Sequence, residues 1–377
     1  MTPTPRPLRV VQVITSLPTG GAERQLEMLV GLTDEQTTTI ALYDGGLVAD
    51  SMRASGHRVD VLGMRGWRRL VTPLRLARRL RRLRPDVVHV HLLAGQLWGI
   101  PAARLARVPV VVSSEHSLMS TTIEGRPHTW WLRGIYRLLE RMTTRTVAVS
   151  TTTAERLRDW GVPASRISIS DNGIDFAALE FDPAGRDGLR RELGLGPEVT
   201  VIGAVGRLDP VKRLDLVLHA CAPMLRDGAV LVVAGSGDLR VELEALAERL
   251  GVTSSVHWLG SRGDMAAVLS SMDVLVSASA DETFGMAVVE ALGNGLPVAF
   301  VECPALEELQ AVPAHARHVR CTGDYQVDAW ALRDGIRQAL ASGRVPVPTA
   351  LRDRYGAAAA THRMERLHAE LVGQRDG

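Results

Sequence analysis

The sequence predicts an α/β protein built from two doubly wound parallel sheets. Its 377 residues exceed the size of one ordinary domain and fit two. Short, nearly continuous apolar runs alternate with helical segments in both halves, as expected when strands are buried on both faces and joined by right-handed βαβ units. A polar stretch separates the two halves, so each half is predicted to form its own sheet.

The apolar runs are the predicted strands. They cover 8–17, 87–91, 108–113 and 146–150 in the first half, and 199–205, 229–234, 274–277 and 297–301 in the second. Helices are predicted between them, for example over 22–30, 215–225, 239–250 and 286–292.

Breaks in this alternation predict the domain boundaries. The polar stretch contains Pro183, Gly185, Gly188 and Pro197, which are typical of a loop. We therefore predict a first domain over 1–180, a linker over 181–198 and a second domain over 199–350. The remaining 351–377 is predicted to be mainly one amphipathic helix, over 352–374.

Composition excludes several classes of protein. Apolar residues make up 46% and charged residues 23%, which is globular and not disordered. Three cysteines without a CxxC motif predict reduced thiols, and neither a disulfide framework nor a zinc site. The longest uncharged window, 87–103, contains two histidines and Pro101 and is too short to span a membrane. No signal peptide is recognised, so we expect a soluble, cytoplasmic protein.

Charge is distributed unevenly, and much of the positive excess lies in residues 65–84. Residues 1–175 carry 24 arginines against 15 acids, whereas the rest of the chain is net acidic. Leucines at helical spacing predict a helix with a basic outer face, and Pro73 favours a start at that residue. The arginines of Arg65–Arg84 either form a solvated face or contact anionic lipid headgroups or a phosphorylated acceptor. Nucleic acid is not expected, since Trp67 is the single aromatic residue nearby.

One basic pair follows a predicted strand of the second half. Lys212 is the sole lysine among 44 basic residues, and it lies close to Arg207. An ammonium is a compact charge that suits a phosphate oxygen in a tight site, whereas a guanidinium is a planar fork. Because ligands of parallel sheets bind at the carboxyl ends of strands, the two residues are candidates for an anion site. The alternative is two surface cations.

A glycine pair follows the first predicted strand and opens a helix. Gly20 and Gly21 would let the backbone approach a ligand closely, and amide groups at a helix start attract anions. The pattern is not GxGxxG, which disfavours a dinucleotide. A simple turn is the alternative.

Two glutamates flank another predicted helix start. Glu282 lies on the loop before the helix, and Glu290 lies about one turn inside it. Such carboxylates could bind two sets of sugar hydroxyls, while the amides between them could meet a phosphate or a developing charge. The alternative is a helix cap at Glu282 and a solvated Glu290. Apolar neighbours nevertheless predict that Glu290 is buried and paired.

Histidines end two predicted strands of the first half. His116 follows a buried strand and could donate a hydrogen bond or carry a proton, or it could be purely structural. His89 and His91 are predicted to alternate across their strand, with His91 the better candidate for a site.

Together these motifs resemble one family, the retaining GT-B glycosyltransferases of glycosyltransferase family 4 (group 1). The resemblance covers nearly the whole chain. It is carried, in order, by Gly20-Gly21-Ala22-Glu23, Asp86-Val87-Val88-His89-Val90-His91, His116, Asn172-Gly173-Ile174-Asp175, Gly206-Arg207-Leu208 with Lys212, Glu282-Thr283-Phe284-Gly285 through Glu290-Ala291, and Gly295-Leu296-Pro297-Val298.

The resemblance implies a fold and a function. Two Rossmann-like domains would face a central cleft, and the C-terminal helix would cross back to the first domain. The activity implied is hexosyl transfer from a nucleotide-diphosphate sugar to a hydroxyl acceptor, such as a glycan, a lipid-linked sugar or a small-molecule glycoside. Same-face attack would retain the anomeric configuration, and no metal or other cofactor would be required.

The resemblance also implies a role for each site residue. Arg207 and Lys212 would neutralise the diphosphate, with Gly20 and Gly21 closing over it. The donor sugar and the nucleoside would be held by separate sets. These are His116, Glu282, Thr283, Phe284, Gly285 and Met286 for the sugar, and Glu290, Leu259 and Arg262 for the nucleoside.

One motif departs from the family pattern, and other functions stay open. The family often has a glycine pair where this chain has Cys303-Pro304, and proline has no amide hydrogen to donate. A sugar-nucleotide 2-epimerase of the same architecture and a catalytically inactive partner subunit are the alternatives. Lys212, Glu290 and His116 favour an active transferase.

Overall fold

The computed structural model describes residues 6–18, 20–66 and 68–376, without the side chains of residues 68–70 and 376. Trp67 lies outside the described residues. The chain divides into two compact units, Met1–Gly173 with Arg354–Gly377, and Ile174–Asp353. Both are α/β units with parallel sheets, as predicted.

The first unit contains a seven-stranded parallel sheet in the order β3-β2-β1-β4-β5-β8-β9. Its strands are β1 (Arg9–Ile14), β2 (Gln36–Ala41), β3 (Arg58–Val61), β4 (Val87–His91), β5 (Val110–Glu115), β8 (Arg145–Ala148) and β9 (Ile167–Ile169), and a short hairpin joins β6 (Thr122–Ile123) to β7 (Arg126–Pro127). Its helices are α1 (Gly21–Leu32), α2 (Leu47–Ala54), α3 (Arg68–Leu83), α4 (Leu92–Leu105), α5 (Trp130–Arg141) and α6 (Thr151–Asp159).

The second unit contains a six-stranded parallel sheet in the order β12-β11-β10-β13-β14-β15. Its strands are β10 (Val201–Val205), β11 (Val230–Ala234), β12 (Val256–Gly260), β13 (Val274–Ser277), β14 (Val298–Phe300) and β15 (Ala316–His318). Its helices are α7 (Pro183–Glu192), α8 (Leu214–Arg226), α9 (Arg240–Arg249), α10 (Met265–Ser271), α11 (Met286–Gly293), α12 (Pro304–Glu307) and α13 (Tyr325–Ser342). The helices α14 (Thr349–Tyr355) and α15 (Ala357–Asp376) end the described chain.

The two faces of the first sheet carry different helices. Val11, Val13, Val88 and Val90 share one buried cluster with apolar residues of α3, α4 and α5. The alternate strand residues, among them Val10 and Val110, pack against Met364 and Leu371 of α15 instead. The C-terminal helix therefore returns to the first unit, as the resemblance implied.

The structure differs from the prediction of a linker over 181–198. Residues 183–192 form α7, which packs on α10 within the second unit. Pro183 occupies the first turn, where its missing amide hydrogen has no effect, and the Asp182 carboxylate accepts from the Gly185 amide at 2.9 Å. The proline and glycine that suggested a loop therefore begin a helix.

Two further helix boundaries also differ from the prediction. Helix α3 begins at Arg68 and not at Pro73, which lies inside it. The predicted C-terminal helix is two helices, since α14 ends at Tyr355 and α15 begins at Ala357. Among the described residues, no helix is both long and apolar enough to cross a bilayer.

Candidate functional site

In the second unit, loops that follow neighbouring strands meet at the carboxyl edge of the sheet. The loop after β10 and the loop after β11 touch through their backbones, since Leu208 N donates to Ser236 O at 3.0 Å. Gly235 has φ +146°, and a Cβ there would overlap the carbonyl oxygen of Gly206. Ser236 Oγ lies 2.9 Å from Ser261 Oγ, which joins the loop after β12 to the same edge.

Lys212 forms an ion pair with Glu282 at this edge. Lys212 Nζ donates to Glu282 Oε1 at 2.6 Å, and the two side chains are only 24% and 10% exposed. The residues are 70 positions apart and follow β10 and β13, which are adjacent strands. Glu282 therefore pairs with a cation, and the N-cap residue of α11 is Gly285.

Arg207 shares this loop but projects into solvent. Its side chain is 66% exposed and its guanidinium lies 3.0 Å from Asp209 Oδ2. Such an exposed pair contributes little to stability. The structure thus brings Lys212 together with Glu282, while Arg207 remains available at the rim.

The segment 283–286 leads into α11 as predicted. Gly285 precedes the helix with φ +92° and ψ 43°, and a Cβ there would overlap Cys303 Sγ. Thr283 and Phe284 are buried, and Met286 is the first helical residue. The amides of residues 284–286 therefore lie at the positive end of α11, next to Glu282.

The loop after β14 supports this segment. Cys303 N donates to Glu307 Oε1 at 2.8 Å, and Ala305 N donates to Phe284 O at 3.0 Å. Pro304 has no amide hydrogen. The two amides beside Pro304 thus bind protein oxygens.

The three residues predicted to bind the nucleoside lie on α11, on β12 and in the loop after β12. Glu290 lies one turn inside α11 and is partly exposed, so the prediction that it is buried was wrong. Its neighbours Val288 and Val289 are buried, and Glu290 does not lie on the apolar face that they form. Leu259 belongs to β12. Arg262 follows it and donates to Asp264 at 2.9 and 2.6 Å, which raises the pKa of Arg262.

In the first unit, His116 belongs to a cluster of histidines. His116 Nε2 lies 3.3 Å from His91 Nδ1, and His91 Nε2 lies 2.9 Å from Gln12 Oε1. The His89 and His91 rings stack at 4.3 Å. The prediction that these two alternate across β4 was wrong, because residues i and i+2 of a strand share one face.

The cluster continues into the C-terminal helix. His89 Nδ1 lies 3.3 Å from His368 Nε2, and His368 Nδ1 lies 2.9 Å from Glu35 Oε1. Gln12 and His368 were missed from the sequence. Gln12 carried a weak signal as the one polar residue inside the apolar β1, whereas nothing local distinguishes His368.

Burial controls protonation in this cluster. It lowers the pKa of His116 to about 4, and together with the neighbouring imidazoles it lowers the pKa values of His89 and His91. His116 is therefore neutral near pH 7 and can donate or accept one hydrogen bond through each ring nitrogen.

These lowered pKa values predict a pH-dependent stability. Below about pH 6.5 unfolded histidines bind protons, whereas His89, His91 and His116 of the folded chain stay neutral until a lower pH. Their contribution to stability is therefore present above about pH 6.5 and is lost as the pH falls toward 4. The slope per histidine is about 1.4 kcal/mol per pH unit. Denaturation of His116→Gln between pH 6.5 and 4.5 should show a shallower loss than the wild type, with His57→Gln as the control. Equal slopes for His116→Gln and the wild type would contradict the assignment.

The glycine pair opens α1 as predicted. Gly20 is the N-cap residue with an extended backbone at φ −159°, and Gly21 is the first helical residue. A Cβ at Gly20 would overlap the Glu23 carboxylate, which therefore lies over this helix start. Thr19 lies outside the described residues.

The fold and the site together indicate a class of protein. Two parallel-sheet α/β units and a C-terminal helix that returns to the first unit agree with the GT-B glycosyltransferase fold that the sequence motifs imply. Family models agree. The model described as Glycosyltransferase Family 4 matches residues 19–178, and the model described as Glycosyl transferases group 1 matches residues 185–359. The chain belongs to glycosyltransferase family 4.

Curated relatives match part of the chain. A GDP-mannose-dependent alpha-mannosyltransferase of Mycobacterium tuberculosis (strain CDC 1551 / Oshkosh) is 34% identical over 237 residues, which are 60% of this chain and 58% of that protein. A D-inositol 3-phosphate glycosyltransferase of Rhodococcus opacus (strain B4) is 31% identical over 232 residues, 56% of this chain and 51% of that one. The matches thus span little more than half the length of these relatives.

Solved structures show the same fold over nearly the whole chain. Anabaena HepE in complex with UDP and glucose superposes with a TM-score of 0.79 at 19% identity, covering 96% of this chain and all of that one. WaaG, a glycosyltransferase involved in lipopolysaccharide biosynthesis, superposes with a TM-score of 0.68 at 18% identity, covering 96% and 98%.

Proposed function

We propose that this protein is a retaining glycosyltransferase that moves a hexosyl unit from a nucleotide-diphosphate sugar to a hydroxyl acceptor. The observation that carries the proposal is the half-buried Lys212–Glu282 pair at the carboxyl edge of the second sheet. An ammonium beside a carboxylate places a phosphate-binding cation next to an acceptor for sugar hydroxyls. The start of α11 and the close-packed glycine loops surround this pair.

The donor would bind across this edge. Lys212 and Arg207 neutralise the diphosphate, and Arg207 is exposed enough to turn from Asp209 toward it. Glu282 and the amides of Phe284 to Met286 hold the sugar. Glu290, partly exposed on α11, accepts from the ribose hydroxyls, and the base lies near Leu259 and Arg262.

The first unit would supply two further contacts. Gly20 and Gly21, at the start of α1, approach the diphosphate, and the Glu23 carboxylate must move aside because it repels an anion. His116 is neutral and hydrogen-bonded to His91, so it contacts the sugar beside the acceptor as a donor whose orientation is held by its neighbour.

In the proposed reaction the acceptor hydroxyl attacks the anomeric carbon on the same face from which the leaving group departs. The carbon–oxygen bond to the diphosphate breaks, its electron pair goes to the phosphate oxygen, and that oxygen takes the acceptor proton. Lys212 and Arg207 stabilise the negative charge that develops there, which is the largest contribution expected of the protein. With two cations in this role, we propose that no metal is needed.

For the acceptor we propose three classes of molecule, without choosing among them. A glycan, a lipid-linked sugar and a small-molecule glycoside each offer the required hydroxyl. Peripheral contact with an anionic membrane surface from the cytoplasmic side, through residues 65–84, would suit the lipid-linked case. In the structure Arg75, Arg78 and Arg82 of this segment are exposed.

A thermal-shift panel of UDP, GDP, ADP and TDP, each with and without magnesium, tests the proposal. A diphosphate present at 100 times its dissociation constant should add about 2.7 kcal/mol of stability. We expect one diphosphate to stabilise the wild type without magnesium, and Glu290→Gln to reduce that shift while melting normally without ligand.

Two outcomes of this panel would contradict the proposal. No stabilisation by any diphosphate would favour a catalytically inactive partner subunit. Stabilisation that requires magnesium would contradict the metal-independent mechanism. Incubation with the corresponding nucleotide sugar then separates transfer from 2-epimerisation, since an epimerase changes the sugar nucleotide when no acceptor is present.

A further inference from the structure

Helix α5 of the first unit has an exposed face of unusual composition. Trp130 is 86% exposed, Trp131 50%, Leu138 57% and Ile135 36%. Trp131, Ile135 and Leu138 are spaced by four and three residues, so they form one row along the helix. The opposite face of α5 is buried against the unit through Leu132, Tyr136 and Leu139. The row is therefore an apolar surface on a helix that is already packed.

The exposed charges that α5 itself carries are of one sign, and two of its arginines, Arg133 and Arg137, contact Trp160. α5 carries three arginines, and its single acid, Glu140, is 5% exposed and accepts from Thr146 Oγ1 at 2.7 Å. A solvated helix face normally mixes both signs. Here the outer face consists of tryptophan, isoleucine, leucine, glycine and arginine.

The neighbouring helices extend the same surface. α3, α4 and α5 cover one face of the first sheet and contact one another in that order. α4 contains no acid and a single arginine, and its Leu97 and Trp98 are partly exposed. α3 contains seven arginines and no acid. The three adjacent helices thus carry arginines, apolar side chains and a single, buried acid, and Arg79 of α3 pairs with Asp60 of β3.

We propose that the outer side of α3, α4 and α5 is the surface by which this protein binds an anionic lipid bilayer. The tryptophans, Ile135 and Leu138 would enter the headgroup region, and the arginines of α3 and α5 would contact lipid phosphates. This extends the peripheral contact proposed above by assigning the apolar anchor to α5. Charge complementarity favours a bilayer over a second copy of the chain, because two copies would oppose arginine with arginine.

Co-sedimentation with vesicles of phosphatidylglycerol and phosphatidylcholine, compared with phosphatidylcholine alone, tests the proposal. The wild type should pellet with the anionic vesicles, and added salt should weaken the binding. The double variant Trp130→Ser/Trp131→Ser should bind about tenfold or more weakly. Arg75→Gln/Arg78→Gln/Arg82→Gln should bind about a hundredfold more weakly, at roughly fivefold per arginine.

Trp330→Ser is the matched control. Trp330 lies on α13 of the second unit and is 60% exposed, so its loss removes an exposed tryptophan from outside the proposed surface. It should bind vesicles like the wild type. Lipids with brominated acyl chains should quench tryptophan fluorescence in the wild type and in Trp330→Ser, and much less in the double α5 variant.

Several results would overturn this inference. The wild type could stay in the supernatant with both vesicles, or the double α5 variant could bind as Trp330→Ser does. A dimer in sedimentation that the α5 variant abolishes, without vesicle binding, would assign the surface to a second copy. A gel shift with single-stranded RNA in place of vesicle binding would assign it to nucleic acid. The assay uses neither donor nor acceptor, so its failure is separate from failure of the proposed transferase activity.

Discussion

Replacing Lys212 by alanine is expected to reduce donor-dependent turnover or donor affinity by about ten- to a hundredfold. A charge-assisted hydrogen bond to a phosphate contributes about 1.5–3 kcal/mol, and tenfold corresponds to about 1.4 kcal/mol. The ion pair between Lys212 and Glu282 adds a second effect on donor binding. In the wild type the Glu282 carboxylate is only 10% exposed, and without the ammonium it would lose this cation and repel the donor diphosphate.

Steady-state kinetics and diphosphate binding measure this effect, and two further variants separate its causes. Lys212→Met/Glu282→Gln removes both charges, so it should regain the stability lost in Lys212→Ala while remaining inactive. Arg249→Ala removes an exposed cation from α9 and should leave turnover unchanged. Full activity of Lys212→Ala would remove this residue from the site.

Replacing Gly235 by alanine is expected to lower both stability and donor affinity. An alanine Cβ would lie 2.8 Å from the carbonyl carbon of Gly206 and overlap its oxygen, and the backbone at φ +146° is one that L-residues rarely adopt. Strain of this kind amounts to about 1–3 kcal/mol. Because both partners are backbone, relief requires the loop before Arg207 and Lys212 to move, so donor affinity should fall about tenfold or more.

Gly228→Ala is the matched control for backbone strain without overlap. Gly228 also has positive φ, at +97°, but a Cβ there would meet no atom within 4 Å. Its replacement should destabilise the chain by about 1–2 kcal/mol and leave donor affinity unchanged. Urea denaturation and diphosphate titration of both variants give the comparison. If Gly235→Ala merely reproduces the control, contact between the two loops does not shape the site.

How far the fold could be predicted depended on where each strand lies in its sheet. The inner strands β1, β4, β10 and β13 were found because burial on both faces makes them largely apolar. The edge strands β3, β9, β12 and β15 were missed, and so was β2 beside an edge. Edge strands are half-exposed or short, so they carry neither an apolar run nor a clear alternation.

Predictions of the site succeeded where chemistry follows from local sequence. The start of α11 at Met286 was placed correctly and that of α1 to within one residue, because glycine before a helix is a local signal. The errors have two causes. The exposure of Glu290 depends on which side chains pack alongside α11, and the motif does not contain that information. The shared face of His89 and His91 follows from the two-residue period of a strand, which the prediction misapplied.

By itself the sequence determined the class of fold, the family, and the elements that carry Lys212, Glu282 and His116, since these depend on local patterns and on motif order. Only the tertiary structure decided that Lys212 pairs with Glu282, that His116 joins a cluster reaching His368 on the C-terminal helix, and that the outer faces of α3, α4 and α5 form one surface. These facts join residues that lie far apart along the chain. Such contacts are set by strand order and helix packing, which a linear pattern does not encode.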